Sequence, residues 1–364
     1  MADANDHAEV LVSTTWSCNL RCSYCFVADQ THARSRPRMS AAEARQVIQS
    51  LDRGLAHYST IGVHLYGGEP LTNLPALRAL VDQAAQAPRG RFSFSITTNG
   101  TILSDEVFEL LEAGRFQVVL SVDGPAPVHD QHRRTIRGAA THARTMRFLR
   151  ELRARTHCWV RGSSVVRAGW RLADAQRYLR GLPVDVIKAQ AVRTAPGDKL
   201  GLDGDEREQY LDDLDAAGDQ VISDLAANRI PKDDRFSARV LQLLKGETRY
   251  RFCGAGASIF GVTPGGDVLP CVLLDRAQHR LGSVADQEHS WVGAGRDWQE
   301  SHGPRNECGS CAALPLCGGG CPAMLSVCGA EECDLVRKTC SVAQRIHEHF
   351  RSQPIKLLAL AGVV

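Results

Sequence analysis

No stretch of the chain approaches the roughly 18 uninterrupted apolar residues that a bilayer-crossing helix needs. An export signal is missing too: Asp3, Asp6 and Glu9 stand where a basic segment and an apolar core would be. These two absences predict a cytoplasmic protein with no membrane attachment. Charge of one sign is also lacking, with 43 Lys plus Arg against 41 Asp plus Glu and a formal net charge of +2. That leaves no broad basic field of the kind that holds nucleic acid. There is no internal repeat and no low-complexity tract. The apolar end, 355–364, is too short to span a membrane and reads as a docked segment.

A chain of 364 residues can bury a full-sized core plus a second, smaller unit, so two domains are expected. Thirteen cysteines are many for a cytosolic protein, and they are unevenly placed. Three lie between Cys18 and Cys25, one is Cys158, and the remaining nine run from Cys253 to Cys340. In a reducing compartment, clustered cysteines bind metal more often than they pair, and an odd count points the same way. Cys158 falls in an apolar run and reads as a small buried hydrophobe.

Short β-branched runs at 10–14, 62–66, 92–98, 117–122, 158–166 and 184–190 read as buried strands, with helical stretches between them. The clearest helix start is Ser40-Ala41-Ala42-Glu43, a capping box before a helix reaching about His57. Strand and helix alternating about six times predict an α/β fold with a parallel sheet. Pattern alone does not separate a partial (β/α)6 TIM-like barrel from an open doubly wound sheet. The barrel is favoured because the chemically suggestive residues follow the strands, at the face where such folds build active sites. From 201 to 227 the chain is acidic and helical in period, and Ile230-Pro231 breaks it. The expected division is a core over 1–230, a linker over 231–250, a Cys-rich loop-and-metal domain over 251–345, and a tail over 346–364.

Cys18, Cys22 and Cys25 follow the first strand at C-x3-C-x2-C spacing. Three thiolates hold three irons of a 4Fe–4S cubane and leave one open, whereas a complete protein cage takes four. A zinc knuckle is the competing reading. The run resembles the signature of the radical S-adenosylmethionine (SAM) superfamily, including the aromatic residue before the last cysteine, Tyr24. Further motifs follow at the strand ends. Tyr66-Gly67-Gly68-Glu69-Pro70 resembles that family's GGEP segment, Thr97-Thr98-Asn99-Gly100 its TNG segment, and Ser121-Val122-Asp123-Gly124 its S-x-D-G segment. His129-Asp130-Gln131-His132-Arg133 resembles its H-D-x-x-R pattern. The resemblance implies that Gly67, Gly68 and Glu69 receive the methionine end of SAM. It implies Tyr24 among the SAM contacts, Ser121 and Asp123 at the ribose, Asn99 in the same wall, and Arg133 at the methionine carboxylate, with Arg134 and Arg137 as rivals for that last place.

Cys253, Gly266 and Cys271 give C-x12-G-x4-C, and Cys308, Cys311, Cys317 and Cys321 give C-x2-C-x5-C-x3-C. These resemble the two halves of the SPASM domain, an extension of radical SAM enzymes that binds two auxiliary 4Fe–4S clusters. The resemblance implies one cluster on Cys253, Cys271 and Cys321, and another on Cys308, Cys311, Cys317 and a later cysteine. Cys328, Cys333 and Cys340 compete for that last place. No cysteine precedes Cys253 in 246–252, so the first auxiliary cluster is expected to have three protein thiolates unless Cys328 closes it. A zinc ribbon over 308–321 is the alternative.

The family implies reductive cleavage of SAM to a 5′-deoxyadenosyl radical that abstracts hydrogen from carbon, with a flavodoxin or ferredoxin as reductant. In the sulfatase-maturing branch an aspartate base follows the cysteine aligned with Cys271. Here that residue is Val272, which leaves Asp275 and Asp130 as the carboxylate candidates. Formylglycine formation is therefore second to maturation of a ribosomal precursor peptide or small protein by an intramolecular carbon–carbon, ether or thioether cross-link. Only about nine residues precede the first strand, so leader binding is expected to use the barrel, the SPASM domain or a separate leader-binding protein. A radical SAM dehydrogenase of a small molecule and a non-catalytic electron-transfer protein are the other classes.

Overall fold

The computed structural model describes residues 6–28, 37–274, 277–329 and 331–360. Asp275 lies outside them. The six expected parallel strands are present as β1 (His7–Ser13), β2 (Thr60–Tyr66), β3 (Phe92–Thr98), β4 (Gln117–Ser121), β5 (Trp159–Val166) and β6 (Val186–Ala191). Helices α1 (Ala41–Gly54), α2 (Leu74–Ala84), α3 (Asp105–Ala113), α4 (His142–Arg155) and α5 (Leu172–Arg180) fall between them in turn. This is the α/β class with the parallel strands of a partial TIM-type barrel. Cys158 sits one residue before β5 rather than inside it, but is buried, and its thiol donates to the Leu111 carbonyl at 3.4 Å.

The capping box forms as read. Ser40 Oγ accepts from the Glu43 amide at 3.2 Å and Glu43 Oε2 from the Ser40 amide at 2.7 Å, so two donors at the start of α1 are satisfied reciprocally. The helix ends at Gly54, a turn earlier than its apolar period suggests.

Chain contacts divide the molecule into two compact units that interleave in sequence: residues 1–122, 129–160 and 254–302 in one, and 123–128, 161–253 and 303–364 in the other. In the first, β1 to β4 pair in sequential parallel register. β1 also pairs in parallel with β7 (Ile259–Val262). From there the chain turns through β8 (Asp267–Leu269) and β9 (Gly282–Ser283), both antiparallel. Gly266, singled out by the cysteine spacing, occupies the β7–β8 turn at φ +82°, a conformation that disfavours any side chain. Pairing to β1 is what draws this segment into the first unit. Alternate residues Val10, Val12, Ile61, Val63, Leu65, Ile96, Val118 and Leu120 are buried together with α1–α3. The opposite face is polar: His64 bonds Ser95 Oγ at 2.6 Å and Thr97 Oγ1 at 2.9 Å.

In the second unit the acidic stretch forms α6 (Gly204–Ala226), packed against α8 (Glu331–His349), which also packs against α7 (Ser237–Leu244). Gly218 lets α6 and α8 approach, since a Cβ there would lie 2.3 Å from Val342. Charges on the two helices complement each other: Arg207 bonds Asp334 at 2.9 Å, Arg345 bonds Asp219 at 2.7 Å, and Lys338 pairs with Asp215. The tail docks as expected as far as Leu360. Its helix, Pro354–Leu360, buries Leu357 and Leu360, and Lys356 Nζ donates to the Leu225 carbonyl at the end of α6 at 2.9 Å. Among the described residues no helix is long and apolar enough to cross a membrane.

Candidate active site

Cys18, Cys22 and Cys25 lie on the loop after β1, each partly exposed, and none of the thirteen cysteines, all among the described residues, is in a disulfide. Backbone bonds fix that loop to the segment carrying the H-D-x-x-R pattern. The Arg21 amide donates to the Arg134 carbonyl at 2.8 Å and the Ser23 amide to the His132 carbonyl at 3.2 Å. Arg133 lies over the Tyr24 ring at 5.5 Å, which brings those two expected SAM contacts together. Asp130 has a structural job instead of an open one. Its Oδ1 accepts from the Thr141 and His142 amides at 2.7 and 2.8 Å and so caps α4.

The GG turn is held close to the cysteine loop. Gly68 and Glu69 amides donate to the Thr15 and Ser17 carbonyls at 3.0 and 2.9 Å. A Cβ on Gly68 would lie 2.3 Å from the Ser17 oxygen, so contact this close requires glycine. Gly68→Ala is expected to cost about 1–3 kcal/mol as an overpacked site, read as a lowered Tm.

Glu69 is 2% exposed and accepts three bonds: from Thr98 Oγ1 at 2.8 Å, the Asn99 amide at 2.8 Å and the Leu71 amide at 3.2 Å. Burial nevertheless pushes its carboxyl up to about 7, against those hydrogen bonds and the Arg133 charge. Beside it, burial and the Glu69 charge push the Cys18 thiol up to about 12. Asn99 acts through the cysteine loop: its Nδ2 donates to Asn19 Oδ1 at 2.9 Å, and Asn19 donates in turn to Thr101 Oγ1 at 2.8 Å. Sequence reasoning missed Asn19 and Thr101. Their signal was position alone, one inside the cysteine run and the other just beyond the TNG segment. Tyr66, preceding the glycines, has its phenol pushed up to about 12 by burial, with the Cys25 and Cys271 thiols acting in the same direction.

In the second unit Asp123 is fully buried, its Oδ2 3.7 Å from Nη1 of Arg167, a side chain only 1% exposed. Trp170 Nε1 and Ser164 Oγ donate to the Asp123 carbonyl at 2.9 and 2.7 Å. Arg167 was not foreseen, and nothing in its local sequence marks it as a counter-ion.

The same unit contains a cavity of about 420 Å³ whose walls include Cys308, Cys311, Cys317 and Cys333. Gly318, Gly319 and Gly320 all take positive φ, so the chain doubles back between Cys317 and Cys321. Arg305 Nη2 donates to Cys333 Sγ at 3.1 Å. Cys340, two turns farther along α8, is buried and outside that lining, yet burial pushes its thiol up to about 11 and Cys317 and Cys311 are near enough for their charges to add to that shift. Four soft donors around one cavity fit an iron–sulfur cluster.

The model of the radical SAM superfamily matches residues 12–168. The serine-type anaerobic sulfatase-maturating enzyme of Klebsiella aerogenes is 26% identical over 343 residues, covering 86% of this chain and 79% of that protein. The solved structure of polyhistidine-tagged anSMEcpe with bound AdoMet shares the fold at a TM-score of 0.79 and 19% identity, covering 94% of this chain and 98% of that one. Streptococcus suis SuiB bound to its precursor peptide SuiA shares it at 0.65 and 18%, covering 88% and 72%. With the cysteine loop, the GGE turn and the TNG strand end assembled as described, the chain carries the radical SAM domain of an enzyme, followed by a cysteine-rich, SPASM-type C-terminus.

Proposed function

We propose that this enzyme matures a ribosomally made peptide or small protein, closing an intramolecular cross-link. The observation that carries the reading is the cysteine-lined cavity of the second unit, in a chain that also holds the three-cysteine loop. Cys18, Cys22 and Cys25 would hold the cluster that cleaves SAM, and Cys308, Cys311, Cys317 and Cys333 an auxiliary one. Cys253, Cys271 and Cys321 are assigned a second auxiliary cluster from their spacing. Bound there, such clusters supply electrons one at a time.

The chain's own residues do the positioning. Glu69 presents a carboxylate to the SAM ammonium, Arg133 a guanidinium to its carboxylate, Ser121 a hydroxyl to the ribose, and Asn99 keeps the cysteine loop in place. A peptide substrate is supported by relatives whose names specify sulfatase maturation or a precursor peptide. Cross-linking is preferred to formylglycine formation because Val272, 2% exposed, occupies the place of that branch's aspartate base. We further propose a cytoplasmic protein reduced by a flavodoxin or ferredoxin.

The test is anaerobic co-expression with candidate precursor peptides, followed by mass spectrometry. A product lighter by two hydrogen atoms, unreactive to aldehyde reagents and with a gap in its fragment series, is the expected result. An aldehyde product would instead establish the sulfatase-type activity, and 5′-deoxyadenosine formed only with small metabolites would sink the peptide reading. Cys333→Ser is expected to lower the iron content by about four per chain while leaving SAM cleavage in place.

A further inference from the structure

Only six of the 43 Lys plus Arg residues are lysines, and one of them stands in the middle of β6. Alternation along β6 turns Ile187, Ala189 and Ala191 into the core and leaves Lys188 and Gln190 on the other face. On β5 the same alternation leaves Arg161, Ser163 and Val165 on that face. Parallel register sets Ser163 beside Lys188 and Val165 beside Gln190. A barrel-type sheet builds its site at the C-terminal ends of its strands, and Val165 and Gln190 each stand one residue from such an end, with Ser163 and Lys188 two residues before them on the same face.

The charges here do not balance within the unit. Arg161 pairs with Asp234, Arg193 with Glu332 at 2.8 Å and Arg235 with Asp233 at 2.8 Å. Lys188 has no ion pair, and Lys188, Ser163 and Gln190 make no side-chain hydrogen bond among the described residues. Burial pushes the Lys188 ammonium below the ordinary lysine range, and Arg161, Arg235 and Arg193 add to this while Asp234 opposes it. A half-buried cation beside two open neutral donors is costly until an anion arrives. One positive charge flanked by a hydroxyl and a carboxamide N–H matches a singly charged, two-oxygen anion. Phosphate is the poorer match, since the neighbouring guanidiniums that would bind it bidentately are already paired.

We propose that Lys188, Ser163 and Gln190 form a subsite for a carboxylate of the peptide substrate, from an Asp or Glu side chain or from the C-terminus. The identity of the ligand as a peptide rests on the function proposed above; the carboxylate chemistry does not.

Two measurements on the full-length protein separate these claims. First, lysines are reductively 13C-methylated and the Lys188 signal is assigned by its absence in Lys188→Arg. Glutarate is expected to shift that signal in a saturable way and glutaramide to leave it unmoved. No glutarate shift overturns the subsite. Second, acetylated, amidated pentapeptide libraries are affinity-selected and decoded by mass spectrometry, with matched libraries carrying a free C-terminus. Peptides with Glu, or those with a free terminus, are expected to be retained about tenfold better than the Gln or amide counterparts, the worth of one charge-assisted bond. Lys188→Met is expected to remove the preference, and Gln190→Ala, at an exposed position that folding tolerates, to reduce it. A preference that survives in Lys188→Met overturns the subsite and leaves the peptide reading standing. A glutarate response with no peptide retained does the reverse.

Discussion

Cys22→Ala is expected to abolish 5′-deoxyadenosine release from SAM and to lower iron from about twelve to about eight atoms per chain. The loop cysteines have one thiol fewer than a closed cage, so none is spare. Cys22 is partly exposed, and its loop is held by backbone bonds from Arg21 and Ser23 that alanine leaves intact. The variant should therefore fold normally and keep its C-terminal iron, separating loss of chemistry from loss of structure. Chromatography of the nucleoside together with an iron count reads both. Release persisting in the variant would mean that some other cysteine group cleaves SAM, and the assignment of the loop would fall.

The order of strands and helices was legible because each element carries its own period. Val10, Val12 and their counterparts alternate, and Ser40 with Glu43 announces a helix without help from the rest of the chain. The interleaving of the two units was not. β7 has only four residues, and its apolar pattern would read the same in any sheet; joining β1 is decided by non-local pairing. At the site, the motifs do not reveal which bonds each side chain makes. Asp130 was a candidate base by motif, yet it caps a helix that begins twelve residues later, which no local capping rule detects. Arg167 escaped notice for a related reason. Its partner Asp123 lies 44 positions away, and a buried pair between distant residues leaves no periodic trace. Lys188 was equally silent, since an isolated lysine in a strand acquires meaning only once Ser163 is set beside it and its neighbours' carboxylates are seen to be taken.

Glu69 should make SAM binding and protein stability respond to pH in opposite directions. Its carboxyl titrates near 4.5 when unfolded and is raised to about 7 in the fold. Between those values the folded chain holds a proton that the unfolded chain has lost. This contribution to stability is complete below about pH 4.5, declines as pH rises to about 7, and is flat beyond. The decline is about 3 kcal/mol at most, since each tenfold change in proton affinity is worth about 1.4 kcal/mol. Exposed carboxylates such as Glu43 and Asp286 are lowered by their hydrogen bonds and push the other way, so the quantity to measure is the difference between wild type and Glu69→Gln. Glutamine does not titrate. It sets an amide N–H against the Leu71 donor, which moves stability by a constant and leaves the slope to report the carboxyl. Urea unfolding of the two proteins from pH 4.5 to 8 should give curves that diverge only below about 7. SAM affinity should instead rise through the same window, about tenfold per pH unit below 7, because its ammonium selects the ionised form that the empty site disfavours. Calorimetric titration of SAM with Glu69→Gln should be weaker and flat with pH. Affinity rising equally in both proteins would transfer the role to another group and leave Glu69 as a buried brace between the GG turn and the TNG strand end.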